Sequence, residues 1–543
     1  MIDPRDTLNS LHPGKEPGAL RNYCRPAYYR IFLVTTGFYA LLVTATADSS
    51  GQVPPAPSPT FVDDTRDAEV FSTLPINSPQ NFSTDHFLGS QSCSASSCHG
   101  NPRRESVVGS AAHFFFDTDR HQRAGSVLRE QRSNEIVKRL NLPKPAWETK
   151  ECLVCHAPAA VNFENRPGFL AKVTEGVGCE SCHGAARNWL ARHHTQEWKI
   201  PEIWSNETKE SLGFRETKNV LSRMNACADC HVGNANQSVN HDLIAAGHPR
   251  LVFEYAAHQS LMPAHWRRSE DRQRLAAASG SPWNRPNSAA KDWLLGQLVN
   301  AEHELSILSA SASIQNGVHS GYPNKVWPEL AQYDCFACHH DLKTASWQQS
   351  RSGFNFELKP GELQWGTWSL GLLPELKTPL NHLVDNQLAE DLSKLQTRMR
   401  SPIIETESVA HNILDLQRRL GLAAIYLDKT ELRSDDLRAI RNSLLTGSAR
   451  VTNQGWDRST QLYLALVAID IGLSENPYRS DRMNPAREVT YRQLRENLSF
   501  SGSTKLSPPI QHRESPFRLQ QSWQTIQQGF DDLTIQLSSE LQQ

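Results

Sequence analysis

GVGCESCHG, residues 176–184, holds two cysteines, Cys179 and Cys182, separated by two residues and followed at once by His183. That spacing is the attachment signal of a c-type haem. Two thiols reach the two vinyl groups on one edge of a porphyrin, and the adjacent imidazole turns under the ring to meet the iron. The same pattern recurs at Cys152-Leu153-Val154-Cys155-His156, at Cys227-Ala228-Asp229-Cys230-His231 and at Cys335-Phe336-Ala337-Cys338-His339. A fifth, looser copy, CSASSCH, has four residues between Cys93 and Cys98 before His99.

A single C-x-x-C reads better as a zinc knuckle or a redox dithiol. Five copies change that balance. Histidine makes up 21 of 543 residues. One chance histidine after a second cysteine thus has odds of about 0.04, and five together roughly 10⁻⁷. Zinc does not require that adjacency, whereas haem does. The sequence therefore predicts five covalent c-type haems, held by Cys93, Cys98, Cys152, Cys155, Cys179, Cys182, Cys227, Cys230, Cys335 and Cys338. His99, His156, His183, His231 and His339 are the proximal iron ligands.

The remaining composition bounds the class. A chain of 543 residues carries 56 basic and 58 acidic side chains, so no cationic surface for nucleic acid is implied. Ten of eleven cysteines belong to the motifs and only Cys24 is left over, which predicts no structural disulfides. Arg21, Arg25 and Arg30 precede an uncharged run from Ile31 to Ala47 that ends in Ala45-Thr46-Ala47, a cleavage signature. The run is short for a membrane span. Residues 1–47 are thus expected to be a signal peptide or an N-terminal membrane anchor, and the protein to be periplasmic or otherwise extracytoplasmic.

Residues 48–84, rich in Pro and Ser, read as a linker. The haem segment, 85–345, is expected to consist of short helices and loops, with porphyrin filling the interior. Residues 346–543 change character. Leu388, Leu392, Leu395 and Met399 fall on one helical face, as do Val409, Ile413, Leu416 and Leu420. Ser434 reads as an N-cap with Asp435 and Asp436 in the first turn, and Gly447 as a stop. Leu462, Leu466 and Ile469 begin another face, and a last amphipathic helix is expected near Phe517 to Leu537. The predicted fold class is mainly α: a multihaem domain with little regular sheet, then a helical C-terminal domain.

Ligands for the far side of each iron must also be histidines if ligation is bis-imidazole. His113, His121, His193, His194, His241, His248, His258, His265, His303, His319 and His340 are available. GVGCESCHGAARNWLARHH and FDTDRHQRA resemble segments of the cytochrome c-552/c-554-type multihaem cytochromes. HDLIAAGHPRLVFE and WPELAQYDCFACHHDL resemble an extended pentahaem subgroup with a helical C-terminal region. The resemblance spans roughly residues 85–345 and departs from the family at the first motif, where C-x4-C-H stands for C-x-x-C-H. It implies distal ligands at His121, His193, His241 and His248, with His265 as the further candidate. It also implies that the haem at His156 is the one to lack a protein ligand; no candidate lies between Cys155 and Cys179.

Two functions follow from this reading. One is a carrier that passes single electrons along closely packed haems between redox partner proteins. The other is an oxidoreductase acting on a small nitrogen or sulfur compound at one five-coordinate haem. The ammonia-forming nitrite reductases typically carry lysine in place of one motif histidine, and no C-x-x-C-K occurs here. The carrier is the expected function. Partners are expected to be redox proteins, with the membrane as a further one through the N-terminus.

Overall fold

The structure is a computed structural model that describes residues 83–102, 109–265, 288–315, 327–339, 362–376, 386–401, 403–448, 455–474, 485–498 and 516–540. The expected signal or anchor and most of the expected linker lie outside the described residues, as do His319 and His340. The described residues form helices, turns and two isolated β-bridges, with no strand among them. The fold is mainly α.

In chain order the helices are α1 (Ala111–Thr118), α2 (Gln131–Arg139), α3 (Lys150–His156), α4 (Phe169–Glu175), α5 (Cys179–His183), α6 (Asn206–Ser211), α7 (Val220–His231), α8 (His241–Ala246), α9 (Tyr255–Leu261), α10 (Ser288–Gln315), α11 (Cys335–Cys338), α12 (Asn386–Met399), α13 (Thr406–Lys429), α14 (Ser434–Thr446), α15 (Trp456–Ser474), α16 (Pro485–Asn497) and α17 (Pro516–Glu540). Up to α9 they are short and joined by 3₁₀ turns. Three small apolar clusters serve this part: one around Leu128, Leu153 and Val173, one around Phe87 and Ala185, and one around Trp189 and Trp198. None of them amounts to a conventional core.

From α7 onward the packing is different. A single apolar core runs from Val220 to Leu537 and crosses position 345, where the haem segment is expected to end. Helix α10 is its axis, lying along α13 and α15, with α7 packed on it. Trp293, Leu295, Leu305 and Leu308 of α10 are fully buried, and so are Gln297 and Asn300. The helix is buried nearly all round, so no amphipathic stripe marks it in the sequence. The expected faces of α12 and α13 are buried, as are Leu462, Leu466 and Ile469 of α15. Helix α14 begins one residue earlier than expected, at Ser434. Arg433 is its N-cap, and Asp436 accepts the Arg433 backbone N–H at 2.9 Å, while Gly447 caps the far end.

Buried charges tie the haem segment to this bundle. Arg250 donates twice to Asp457 at the start of α15, at 2.9 and 2.8 Å, and Thr367 donates to the same carboxylate. His303 of α10 lies 3.5 Å from Asp229, inside the fourth motif, and 3.1 Å from Glu302. Burial would lower the His303 pKa, but these two carboxylates push it up to about 10. The folded state thus holds a proton that the unfolded chain releases near 6.5. Stability from this contact is complete below about pH 6.5 and is lost as pH rises toward about 10. Denaturant unfolding followed from pH 6 to 10 should show that decline, and His303→Phe should flatten it.

Candidate metal centres

Four of the motifs fold as the ends of helices: α3, α5, α7 and α11 with the residue after it. On a helix, residues i and i+3 share a face and i+4 lies beside i. Both thiols and the histidine therefore come to one side. The His339 N–H donates to the Cys335 carbonyl at 2.8 Å, the ordinary helical bond across such a motif. In CSASSCH the His99 N–H donates to the Cys93 carbonyl at 3.3 Å, although two more residues intervene. The extra residues are taken up in a turn closed by Cys98 N–H to Ala95 O, so the cysteine-to-histidine bond survives the longer spacing.

The central stretch is held by its own residues. Gly176 has φ of +72°, and a Cβ there would lie 2.6 Å from the His121 carbonyl, which accepts the Val177 N–H at 3.0 Å. Only glycine allows the chain this close to the segment bearing His121. Glu180, between the two cysteines, is buried and accepts backbone N–H bonds from Leu88 at 2.9 Å, Gly89 at 2.6 Å and Ala186 at 2.8 Å.

Each motif histidine has another histidine about one ligand-pair spacing away. Ring centres stand 6.2 Å apart for His99 and His193, 6.2 Å for His156 and His248, 6.4 Å for His183 and His265, 6.1 Å for His231 and His121, and 6.1 Å for His339 and His241. An iron held in line between two imidazoles sits about 2.0–2.1 Å from each nitrogen. With each nitrogen about 1.1 Å from its ring centre, the centres should be about 6.3 Å apart. All five pairs meet that requirement. Among the described residues no three His, Cys, Asp or Glu converge as a metal cage. The paired imidazoles are residues that would hold a haem iron.

The second ring nitrogens are engaged, which fixes which nitrogen is left for a metal. His156 Nδ1 donates to the Ala124 carbonyl at 3.0 Å, His193 Nδ1 to Leu190 O at 2.6 Å and His248 Nδ1 to Pro249 O at 2.8 Å. His121 Nδ1 meets Asp119 at 2.9 Å. Burial alone would raise the Asp119 pKa, but its bonds from His121 outweigh that and hold it below its ordinary value. Burial, helped by neighbouring histidines, pushes His183 down to about 4 and His231 down to about 3, so both imidazoles are neutral at pH 7, the form a metal takes. It also pushes the thiols up, to about 11 at Cys152 and Cys182 and about 12 at Cys227.

The pairing crosses the motifs. His193, ten residues beyond His183, faces His99 of the first motif, and His265 faces His183. His194 lies beside His193 at 5.8 Å. Helix α8 carries His241 at its first residue and is followed by His248, so one short segment places histidines beside the fifth and the second motif. His156, expected to lack a partner, thus has His248 beside it, 92 residues downstream. His113 contacts the Gly100 carbonyl, and His303 belongs to the bundle. His258 stands at 5.5 Å from His231 and 61° to it, nearer than the ligand-like spacing.

The motifs also touch one another. The Cys93 side chain of the first neighbours Cys179 of the third, and Cys155 of the second neighbours Cys230 of the fourth. Cys182 of the third lies within electrostatic reach of Cys227 of the fourth. His99, Cys98, His339 and Cys338 are exposed, while the cysteines and histidines of the other three motifs are partly buried.

Residues 91–184 match the family model described as cytochrome c554 and c-prime. That segment is a cytochrome c of the c-552/c-554 type. The match supports a c-type cytochrome with covalently attached haem and a part in electron transfer. The match includes the first three motifs and ends at Gly184, so the fourth and fifth motifs and the bundle lie beyond it. No curated protein and no solved structure matches the chain. No helix among the described residues is long and apolar enough to cross a membrane.

Proposed function

We propose that this cytochrome is a pentahaem electron carrier, exported from the cytoplasm, that passes single electrons between redox partner proteins. The observation that carries the reading is the contact between motifs. Cys93 meets Cys179, Cys182 neighbours Cys227, and Cys230 meets Cys155. Cofactors attached at such neighbouring thiols are close enough for electrons to pass between them without a diffusing carrier. The order is first, third, fourth, second. The fifth motif joins through α8, whose His241 and His248 serve the fifth and second sites.

Bound haem supplies a one-electron couple at each iron, and the chain's residues set where electrons enter and leave. The exposed first and fifth motifs are the two ends of the path. The partly buried middle motifs keep water from the interior steps. Export follows from the chemistry of attachment, since c-type haem is joined to reduced thiols outside the cytoplasm, and residues 1–47 are the segment proposed to direct it. The enzymatic alternative needs an iron with a free face, and every motif histidine here is opposed by a second one.

A reductive titration of the purified protein tests this. Five one-electron equivalents per chain are expected, all reaching equilibrium through reduction at exposed sites. Fewer than five, or a group of haems that does not equilibrate with the rest, would overturn the proposal.

A further inference from the structure

We infer that the iron of the second motif is closed by His248, with the two imidazole planes crossed, so that all five irons are six-coordinate and none is open to a substrate. The inference rests on the haem-carrier reading and departs from what the family resemblance implies for this position. His156 and His248 face each other at 6.2 Å with an interplanar angle of 85°. Both Nδ1 atoms are taken by backbone carbonyls, Ala124 O and Pro249 O, leaving both Nε2 atoms for the gap between the rings.

The His248 ring is held by a short, well-defined segment. Asn240 caps α8 by accepting the Leu243 N–H at 2.9 Å, and Gly247 ends the helix with φ of +123°. The His248 N–H then folds back to the Leu243 carbonyl at 2.9 Å. Arg132 and Arg139 of α2 donate to the Gly247 and Ala246 carbonyls, which pins this turn beside the second motif. Such a turn aims one side chain inward and gives it little freedom.

The ring planes add a signature. Crossed planes also mark His121 with His231 at 88° and His183 with His265 at 73°, whereas His99 with His193 and His241 with His339 are near-parallel at 19° and 21°. Near-parallel imidazoles split the iron d orbitals strongly and give a rhombic low-spin resonance. Crossed ones leave two orbitals nearly degenerate and give a highly anisotropic one. The oxidised protein should therefore show two rhombic and three highly anisotropic low-spin centres.

Electron paramagnetic resonance of the fully oxidised holoprotein, compared with His248→Ala, decides the matter. The wild type should show no high-spin component. The variant should gain one haem equivalent of axial high-spin signal and lose one highly anisotropic signal, with the haem content by pyridine haemochrome unchanged. Carbon monoxide binding to the reduced wild type is the second readout and does not need the variant to fold; no haem should bind it. One equivalent of high-spin iron or of bound carbon monoxide in the wild type, unchanged by His248→Ala, would overturn the inference. A haem content below five would instead count against the carrier reading.

Discussion

Cys182→Ser is expected to abolish accumulation of folded protein, whereas Cys338→Ser should accumulate with one haem fewer. The difference follows from position. Cys182 lies on α5 in the middle of the path, beside the thiols of the fourth motif, and Glu180 on the same helix gathers three backbone N–H groups. Losing the haem there empties an interior that the small apolar clusters of this segment do not fill. A domain is ordinarily stable by only about 5–15 kcal/mol, so such a loss is expected to prevent folding. Cys338 is exposed at the edge of the bundle, whose core is made of side chains and survives without the fifth haem. Expression of each variant in a strain competent for haem attachment, with haem-stained gels against immunoblots, would check both outcomes.

Asp457→Ala should destabilise the protein by about 3–5 kcal/mol, because it leaves the Arg250 guanidinium buried without its carboxylate. Asp457 takes two bonds from Arg250 and one from Thr367, and both charges are largely hidden from water. Arg250 stands two residues after His248, so loosening it also frees the α8 turn. Denaturant unfolding should show the midpoint falling, and the haem spectrum of the second site should lose its sharp low-spin form before global unfolding. Replacing Arg250 and Asp457 together by Met and Leu should recover much of the loss, since an apolar pair leaves no unpaired charge.

How far the sequence could be read depended on whether the signal was local. The motifs are local, because haem attachment dictates cysteine and histidine spacing, and five candidate proximal sites could be proposed from them. The faces of α12 and α13 were legible for the same reason: leucines at helical spacing mark a half-buried helix. Helix α10 was not, because it is buried on nearly every side and its apolar residues show no stripe. The continuity of the core across position 345 was equally hidden, since it rests on α10 packing with α13 and α15, more than a hundred residues later.

The distal histidines divide along the same line. His121, His193, His241, His248 and His265 could be proposed as candidates, but which faces which is a property of the fold. His193 follows the third motif closely yet faces the first, and His248 reaches the second from far downstream. Searching near Cys155 for a partner to His156 could not succeed. The longer spacing of the first motif is another case. Its His99 N–H to Cys93 O bond shows that the two extra residues leave the cysteine-to-histidine relation standing.

The central claim is that ten thiols hold five haems on one chain, and intact-mass measurement of the denatured holoprotein tests it most directly. Thioether bonds survive denaturation, so each covalent haem adds its full mass to the polypeptide. The account predicts the mass of the processed chain plus five haems, as a single species. A dominant species carrying four or fewer would contradict it, and a shortfall of one that is unaffected by replacing Cys98 would assign the failure to the first motif.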